Sequence, residues 1–172
     1  NSILRVIGRV LVMAVWLNIA VVSFGRVIYV DNDALGVNNG SSWENAYIYL
    51  QDALADANLA TESTEIRVAQ GIYKPDKGGG MASGDRTAAF EMLNGVSIIG
   101  GYAGVGEILP DALKPDIYLS ILSGDLNGND IEACDTEELP YEDSRGENSF
   151  HVVCANGTDR TAVLEGFAII GG

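Results

Sequence analysis

Short apolar runs that end at a glycine recur through most of the chain. Residues 65–69 alternate between polar and apolar side chains, which predicts a half-buried strand, and residues 72–73 continue it after Gly71. A shorter β-rich run precedes them at residues 27–31. Similar runs follow at residues 96–99, 120–122, 150–154 and 163–170. The 21 glycines lack the every-third-residue period of collagen, so they indicate many tight turns between short strands.

Internal similarity indicates how these strands are arranged. The segment 95–101, Gly-Val-Ser-Ile-Ile-Gly-Gly, resembles the segment 166–172, Gly-Phe-Ala-Ile-Ile-Gly-Gly, and residues 121–124 lie between them. Stacked apolar strands with glycine corners are typical of a solenoid, in which each layer covers the apolar face of its neighbour. The runs at 150 and 163 begin only 13 residues apart, so we expect more than one strand in each layer. The predicted fold class is an all-β solenoid.

One amphipathic helix is predicted before these strands. Ser41 or Ser42 is suited to cap it, because a side-chain hydroxyl accepts a hydrogen bond from an otherwise unpaired N–H of the first turn. Its apolar positions recur at spacings of three and four, which places them on one face. This face consists of Trp43, Ala46, Tyr47, Leu50, Ala53, Leu54 and Ala57.

Several of these segments, taken in order, carry a family resemblance. They are residues 28–31, 39–46, 50–54, 66–75, 94–104, 121–125 and 163–172. Together they resemble the amino-terminal cap and first coils of secreted right-handed parallel β-helix proteins of the pectin-lyase-like superfamily, in particular of large bacterial surface proteins. The resemblance implies a right-handed parallel β-helix with an amino-terminal amphipathic cap helix, and a chain that is truncated at its carboxyl end.

The resemblance is compatible with more than one function. The superfamily includes polysaccharide lyases and hydrolases as well as non-enzymatic adhesins and surface passengers, and a fold does not choose among them. We expect a structural, adhesive or glycan-binding role. The alternative is the amino-terminal part of a polysaccharide lyase or glycoside hydrolase. Lyases of this superfamily use carboxylates that hold Ca²⁺ together with a basic residue. Arg67 and Asp125 stand on or near strands here, but no catalytic residue can be carried over.

Residues 1–25 differ from the rest of the chain. Arg5 and Arg9 precede a run from residue 10 to residue 24 that is apolar except for Asn18 and Ser23, and the small residues Ser23 and Gly25 suit a cleavage site. This pattern predicts a signal peptide over residues 1–25, with a β-helix domain over residues 26–172. A membrane anchor, which needs about 20 apolar residues, and a buried helix are the alternatives. We therefore expect an exported protein, secreted or at the cell surface, that meets a membrane only through this segment.

Charge and composition restrict the partners and cofactors. The formal net charge of −14 repels phosphate backbones, so no nucleic-acid partner is expected, whereas polysaccharides or cell-surface partners are. Two cysteines and one histidine leave little for a zinc site. His151, the only histidine, has no nucleophile motif near it and is not expected to be catalytic.

Two weaker site predictions concern the acidic part of the chain. Alternating oxygen-bearing residues make residues 125–130 a Ca²⁺ candidate, although the spacing departs from the EF-hand pattern and a solvated turn is the simpler interpretation. Cys134 and Cys154 bracket an acidic loop, and an exported chain can oxidise them to a disulfide. The proposed Ca²⁺ ligands are Asp125, Asn127, Asn129 and Asp130.

Two further patterns have competing interpretations. Trp43 and Tyr47 are residue types that stack on sugars, but their positions fit a buried helix face better. The segments Asn39-Gly40-Ser41 and Asn156-Gly157-Thr158 match the glycosylation sequon and are also strong turn signals, and the turn interpretation is preferred.

Overall fold

The structure, a computed structural model, describes residues 25–131 and 143–171. These residues form parallel sheets with little helix. The predicted signal segment, apart from Gly25, lies outside the described residues. The elements in chain order are β1 (Arg26–Val30), α1 (Leu50–Ala57), β2 (Thr64–Ala69), β3 (Gly71–Tyr73), β4 (Phe90–Glu91), β5 (Val96–Tyr102), β6 (Ser120–Ser123), β7 (Val153–Cys154), β8 (Val163–Glu165) and β9 (Phe167–Ile170).

The strands form three sheets in which every named pairing is parallel. The first sheet has the order β1-β2-β5-β8, the second has the order β3-β6-β9, and the third pairs β4 with β7. After β1, the chain therefore visits the three sheets in the same sequence twice, and β8 and β9 begin a third pass. The runs that begin at 150 and 163 contribute strands to different sheets, because Val153–Cys154 lies in the third sheet and Val163–Glu165 lies in the first.

One hydrophobic core lies among the three sheets and the helix. Ile28, Ile66 and Ile98 are register partners on neighbouring strands of the first sheet, and all three are buried. Tyr73 and Leu122 face the same core from the second sheet, and Phe90 faces it from the third sheet. Because side chains alternate between the two faces of a strand, such rows stack from strand to strand and bury a continuous apolar surface.

The helix is shorter than its sequence pattern predicts. It begins at Leu50, after Tyr49 in an extended conformation (φ −122°, ψ 133°), and no side chain caps it. The prediction of a helix beginning after Ser41 or Ser42 is wrong, because Tyr47 pairs with β1 instead: its N–H donates to the Tyr29 carbonyl at 2.9 Å. The carboxyl half of the predicted face is confirmed, since four residues of α1 are buried: Leu50, Ala53, Leu54 and Ala57.

The two copies of the internal repeat lie in different sheets. Residues 96–99 lie in the first sheet, whereas residues 167–170 lie in the second, where Ala168 pairs with Ile121 and Ile169 with Leu122. The run 163–170 forms two strands, β8 and β9, which are separated by Gly166. Strand β4 was not predicted, because its sequence carries no clear strand pattern. The run 150–154 contributes only its last two residues to a strand, and Phe150 is exposed.

The two sides of this assembly differ. Along the edge of β1 that faces away from β2, the Tyr29 N–H donates to the Gly40 carbonyl and the Asp31 N–H donates to the Tyr47 carbonyl. On the other side, β8 and β9 are the last strands of their sheets, and Ile169 and Ile170 are about half exposed, at 52% and 49%. Among the helices of the described residues, none combines the length and apolar character that a membrane crossing requires.

Candidate functional site

The outer face of the first sheet carries a cluster of aromatic and charged side chains. Tyr29, Arg67 and Ile99 are register partners on β1, β2 and β5, one position along each strand from the buried isoleucine row. The alternation of side chains therefore places them on the face opposite the core. We call the group formed by Tyr29, Trp43, Glu65, Arg67, Tyr102 and Asp111 the outer-face cluster.

Trp43 lies at the centre of the aromatic part of this cluster. Its ring centroid is 4.9 Å from that of Tyr29 in an edge-on arrangement and 5.5 Å from that of Tyr102. Trp43 and Tyr102 are 7% and 6% exposed, so packing, rather than sugar stacking, is the role their burial supports. Trp43 was correctly predicted to be buried, but it packs on the outer face of the sheet rather than on the face of a cap helix.

Arg67 links the aromatic rings to two carboxylates. Its Nε donates to Glu65 Oε1 at 2.6 Å, and its Nη1 donates to Asp111 Oδ1 at 3.0 Å. The guanidinium carbon lies 5.5 Å from the Tyr102 ring centroid and 5.9 Å from that of Tyr29, within the range of cation–π contact. Asp111 also accepts a hydrogen bond from Trp43 Nε1 at 3.1 Å.

The electrostatics of Arg67 follow from these contacts. Its partial burial works to lower its pKa, but the hydrogen bond to Glu65 and the charge interactions with Tyr102 and Glu65 outweigh that effect, so the pKa of Arg67 lies above its ordinary value. Arg67 therefore stays a cation held between two anions. The side chains of Arg67 and Glu65 are 27% and 35% exposed, which leaves both accessible to a ligand from solvent.

A groove of about 320 Å³ lies beside these two residues. Its polar lining offers hydroxyl, carboxylate and guanidinium groups within one concave surface. Such a set can donate and accept hydrogen bonds to a hydroxyl-rich ligand. The groove is lined by Gly25, Val27, Ser63, Thr64, Glu65, Arg67, Gly95 and Ser97.

Sequence reasoning noted Arg67 as a basic residue on a strand, assigned it no role and missed its partners. The alternation of β2 already places Glu65 on the same face as Arg67, so this neighbour could have been found from the sequence. Asp111 lies 44 residues from Arg67 in a connecting segment, and no local pattern signals that contact. Asp125, which was considered together with Arg67, follows β6 of the second sheet rather than lying in the first.

The predicted Ca²⁺ loop is organised around the carboxylate of Asp125. Its Oδ1 accepts hydrogen bonds from the N–H groups of Gly128 at 2.6 Å and Asn129 at 3.1 Å, and its Oδ2 accepts one from Asp130 at 3.1 Å. Partial burial raises the pKa of Asp125, but these hydrogen bonds and the charge of Lys74 outweigh it and hold the pKa below its ordinary value. Asn127 is exposed, and its N–H lies 3.4 Å from Glu147 Oε1.

The fourth proposed ligand has different partners. Asp130 Oδ2 accepts a hydrogen bond from Asn148 Nδ2 at 3.0 Å and lies 3.7 Å from Arg145 Nη1. Within residues 25–131 and 143–171, no group of three or more His, Cys, Asp or Glu side chains is arranged to hold a metal ion. The Ca²⁺ site at residues 125–130 stays a prediction.

The remaining sequence candidates lie near β7. His151 is exposed and lines a shallow groove with Phe150 and Ile169. Cys154 is half-buried at the end of β7, but Cys134 lies outside the described residues, so the predicted disulfide is untested.

Comparisons with protein-family models, curated proteins and solved structures found no match to this chain. The resemblance to pectin-lyase-like proteins therefore rests on the sequence segments alone.

Proposed function

We propose that this chain is the amino-terminal closing unit of an exported or cell-surface right-handed parallel β-helix, with a structural, adhesive or glycan-binding role. The observation that carries the proposal is that the chain itself covers the β1 edge of the first sheet. At this edge the N–H groups of Tyr29 and Asp31 donate to the carbonyls of Gly40 and Tyr47.

The path of the chain supports the β-helix. The passes β2-β3-β4 and β5-β6-β7 cross the three sheets in the same order, and each strand of the second pass pairs in parallel with its counterpart in the first. A solenoid is stabilised because each unit leaves an apolar face that the next unit covers. The right hand follows from the general preference of parallel strand connections.

The closed side supports a capping role. Helix α1 contacts β1, β2 and β4, which belong to the first and third sheets. Unpaired strand edges attract other strands, so an edge covered by irregular chain and a helix protects against unwanted association. At the opposite side, Ile169, Ile170 and Phe150 are about half exposed.

Glycan binding is the partner chemistry that the groove beside the outer-face cluster supports. Glu65 and Arg67 both line this groove, together with Ser97 from the neighbouring strand β5. Hydrogen bonds from fixed charged groups to hydroxyls are a common means of orienting a polar ligand. The aromatic rings behind Arg67 hold its guanidinium in place.

The binding test is a panel of neutral and acidic polysaccharides presented to the purified chain. We expect binding that falls about tenfold or more in Arg67→Met, which removes a charged hydrogen-bond donor and keeps most of the aliphatic stem. Glu65→Gln is the second variant, and Arg160→Met, at an exposed loop position, is the matched control. Circular dichroism and thermal unfolding establish that each variant is folded. Equal binding by Arg67→Met and Arg160→Met would contradict the proposed groove.

Export is tested separately. Expressed in a bacterium with an intact secretion system, the chain should leave the cytoplasm and lose about 25 residues, as expected for a basic and apolar leader. A variant without residues 1–25 should stay in the cytoplasm. Retention of the intact chain in the cytoplasm would contradict an exported protein without bearing on the groove.

The enzyme alternative is favoured by one observation. Glu65 and Asp111 are two carboxylates that share the same guanidinium beside the groove. An ultraviolet assay for unsaturated products and a reducing-sugar assay on pectate and alginate, with and without Ca²⁺, test it. We expect no cleavage by this chain. Turnover that disappears in folded Arg67→Met or in a folded Asp125 variant would favour the lyase or hydrolase alternative.

A further inference from the structure

Four asparagines in this chain are followed by glycine: Asn39, Asn94, Asn127 and Asn156. In such a pair, the backbone nitrogen of the glycine can attack the asparagine side-chain carbonyl and close a five-membered succinimide. Glycine favours this reaction because it has no Cβ to obstruct the ring closure. The attacking nitrogen must lose its proton and turn toward the side chain, so a hydrogen bond from that N–H opposes the reaction.

Three of the four glycine nitrogens are held in this way. Each N–H donates to an oxygen of another residue, and each bond has ordinary or short length. The bonds are Gly40 N–H to the Asn45 carbonyl at 2.9 Å, Gly95 N–H to Thr161 Oγ1 at 2.8 Å, and Gly128 N–H to Asp125 Oδ1 at 2.6 Å.

The asparagine side chain is also held in two of these pairs. Asn39 Oδ1 accepts a hydrogen bond from the Ser41 N–H at 3.1 Å. Asn94 Oδ1 accepts one from the Asp159 N–H at 2.7 Å. These contacts keep the side-chain amide in place and add to the barrier against ring closure.

The pair Asn156-Gly157 differs from the other three. Both residues are exposed in the segment between β7 and β8, and no described residue accepts a hydrogen bond from the Gly157 N–H. A Cβ placed on Gly157 would meet no atom within 4 Å, so the surrounding space is open. The nearby Thr158 hydroxyl donates to the Ala155 carbonyl and leaves the Gly157 nitrogen free.

We propose that Asn156 is a site of spontaneous deamidation in the folded protein, with water as the only co-reactant. A solvent base removes the Gly157 amide proton, and the nitrogen forms a bond to Cγ of Asn156. The Cγ–Nδ2 bond then breaks, and the side-chain nitrogen takes a proton from water and leaves as ammonia. Water then opens the succinimide at one of its two carbonyls and yields aspartate or isoaspartate. No atom is oxidised or reduced.

The product changes the loop in two ways. Either product adds a negative charge, and isoaspartate also inserts a methylene into the main chain before β8. Both products remove the asparagine of the sequon Asn156-Gly157-Thr158.

The test compares the four pairs within one molecule. The purified chain is incubated in mildly alkaline buffer, digested with pepsin in acid, and the four asparagine–glycine peptides are quantified by mass spectrometry and by enzymatic isoaspartate labelling. We expect Asn156 to convert about tenfold faster than the other three, since breaking one hydrogen bond of ordinary net strength slows a step by about that factor. In denaturant the four rates should become similar.

A matched pair of variants tests the protection itself. Thr161→Val removes the acceptor of the Gly95 N–H and should raise the rate at Asn94 toward its value in denaturant. Thr87→Val is the control. The Thr87 and Thr161 hydroxyls each donate to the carboxylate of the Asp two residues earlier, at 2.6 Å and 2.5 Å. Both variants therefore lose this bond, but only Thr161→Val also removes the acceptor of the Gly95 N–H. The proposal is overturned if Asn156 converts no faster than the other asparagines in the folded chain. It is equally overturned if the difference persists unchanged in denaturant, or if Thr161→Val affects Asn94 no more than Thr87→Val does.

Discussion

The carboxylate of Asp31 accepts a hydrogen bond from the backbone N–H of Val105 at 2.6 Å, joining two segments that are 74 residues apart. Asp31 directly follows β1, and Val105 lies in the segment after β5. A second N–H, that of Asp33, donates to the same carboxylate at 3.0 Å. The Asp31 side chain therefore joins the connection after β5 to the end of β1.

The first prediction follows from the burial of Asp31, which is only 2% exposed. Burial raises the pKa of Asp31, and the hydrogen bonds from Val105 and Asp33 only partly oppose it. Because the folded protein holds the proton more tightly than the unfolded chain, the stabilisation by Asp31 is greatest below its unfolded pKa of about 3.8 and declines as pH rises through the folded pKa.

Asp31→Ala provides the measurement. It leaves the Val105 N–H without its acceptor and should cost about 1 to 3 kcal/mol of unfolding free energy. The difference between the two proteins should shrink as pH rises from about 4 toward 7, as followed by urea unfolding. A difference that grows with pH, or an Asp31 pKa below 3.8 by NMR, would contradict the assignment.

The second prediction concerns Trp43 in the outer-face cluster. Trp43→Ala should lower the unfolding free energy by about 3 to 5 kcal/mol, because it removes a buried aromatic side chain. Trp43→Phe keeps a ring and loses the hydrogen bond from Nε1 to the exposed Asp111, so its cost should be about 1 kcal/mol. Equal costs for the two variants in chemical denaturation would show that the aromatic packing does not stabilise the fold.

The third prediction compares two glycines of one connection. Gly104 and Gly106 both have positive φ, 82° and 88°, but a Cβ on Gly104 would overlap the Asp31 carboxylate and the Ala69 side chain, whereas one on Gly106 would meet nothing within 4 Å. Gly104→Ala should therefore cost about 1 to 3 kcal/mol more than Gly106→Ala, which carries only the backbone strain. Thermal unfolding of both variants measures the difference, and equal destabilisation would contradict the close contact.

The fourth prediction sets the Ca²⁺ candidate at residues 125–130 against the preferred solvated turn. Because three N–H groups already surround the Asp125 carboxylate, a Ca²⁺ site here should be weak, with a dissociation constant on the order of 10⁻⁴ to 10⁻³ M by calorimetry. Asp130→Asn should weaken binding, and the exposed Asp116→Asn should not. No heat of binding up to that range, or equal binding by the two variants, would leave the loop as a solvated turn.

The fifth prediction is a disulfide between Cys134 and Cys154. Closing a loop of about 20 residues should add roughly 3 kcal/mol to the stability of the oxidised chain. Thiol counting on the exported protein, denatured without reductant, should find no free thiol. Two free thiols per chain would end this prediction.

Local patterns in the sequence were sufficient to locate most of the strands and the buried face of α1. Residues 65–69 were predicted as a strand from their alternation between polar and apolar residues, and residues 96–99 from their short apolar run, and both signals are properties of neighbouring positions. The same holds for Leu50 and Leu54, whose spacing follows the helical period. These features need no knowledge of what the segment contacts.

Tertiary structure decided where the helix begins and which strands pair. Residues 43–49 match a helix by spacing, but the backbone of Tyr47 gains its hydrogen bonds from β1, so helix formation starts only at Leu50. Residues 167–170 resemble residues 96–99, but they align with β6, because pairing depends on which sheet the chain has reached rather than on similarity of the strands.

The candidate site was likewise decided by the tertiary structure. Trp43, Arg67 and Asp111 come from three separate segments, and their hydrogen bonds span 68 and 44 residues. The sequence alone determined that Arg67 lies on a strand and that Trp43 is buried, since local period and side-chain chemistry indicate both. Only the parallel pairing of β1, β2 and β5 determined that they meet on one outer face, because contacts between distant segments depend on strand register.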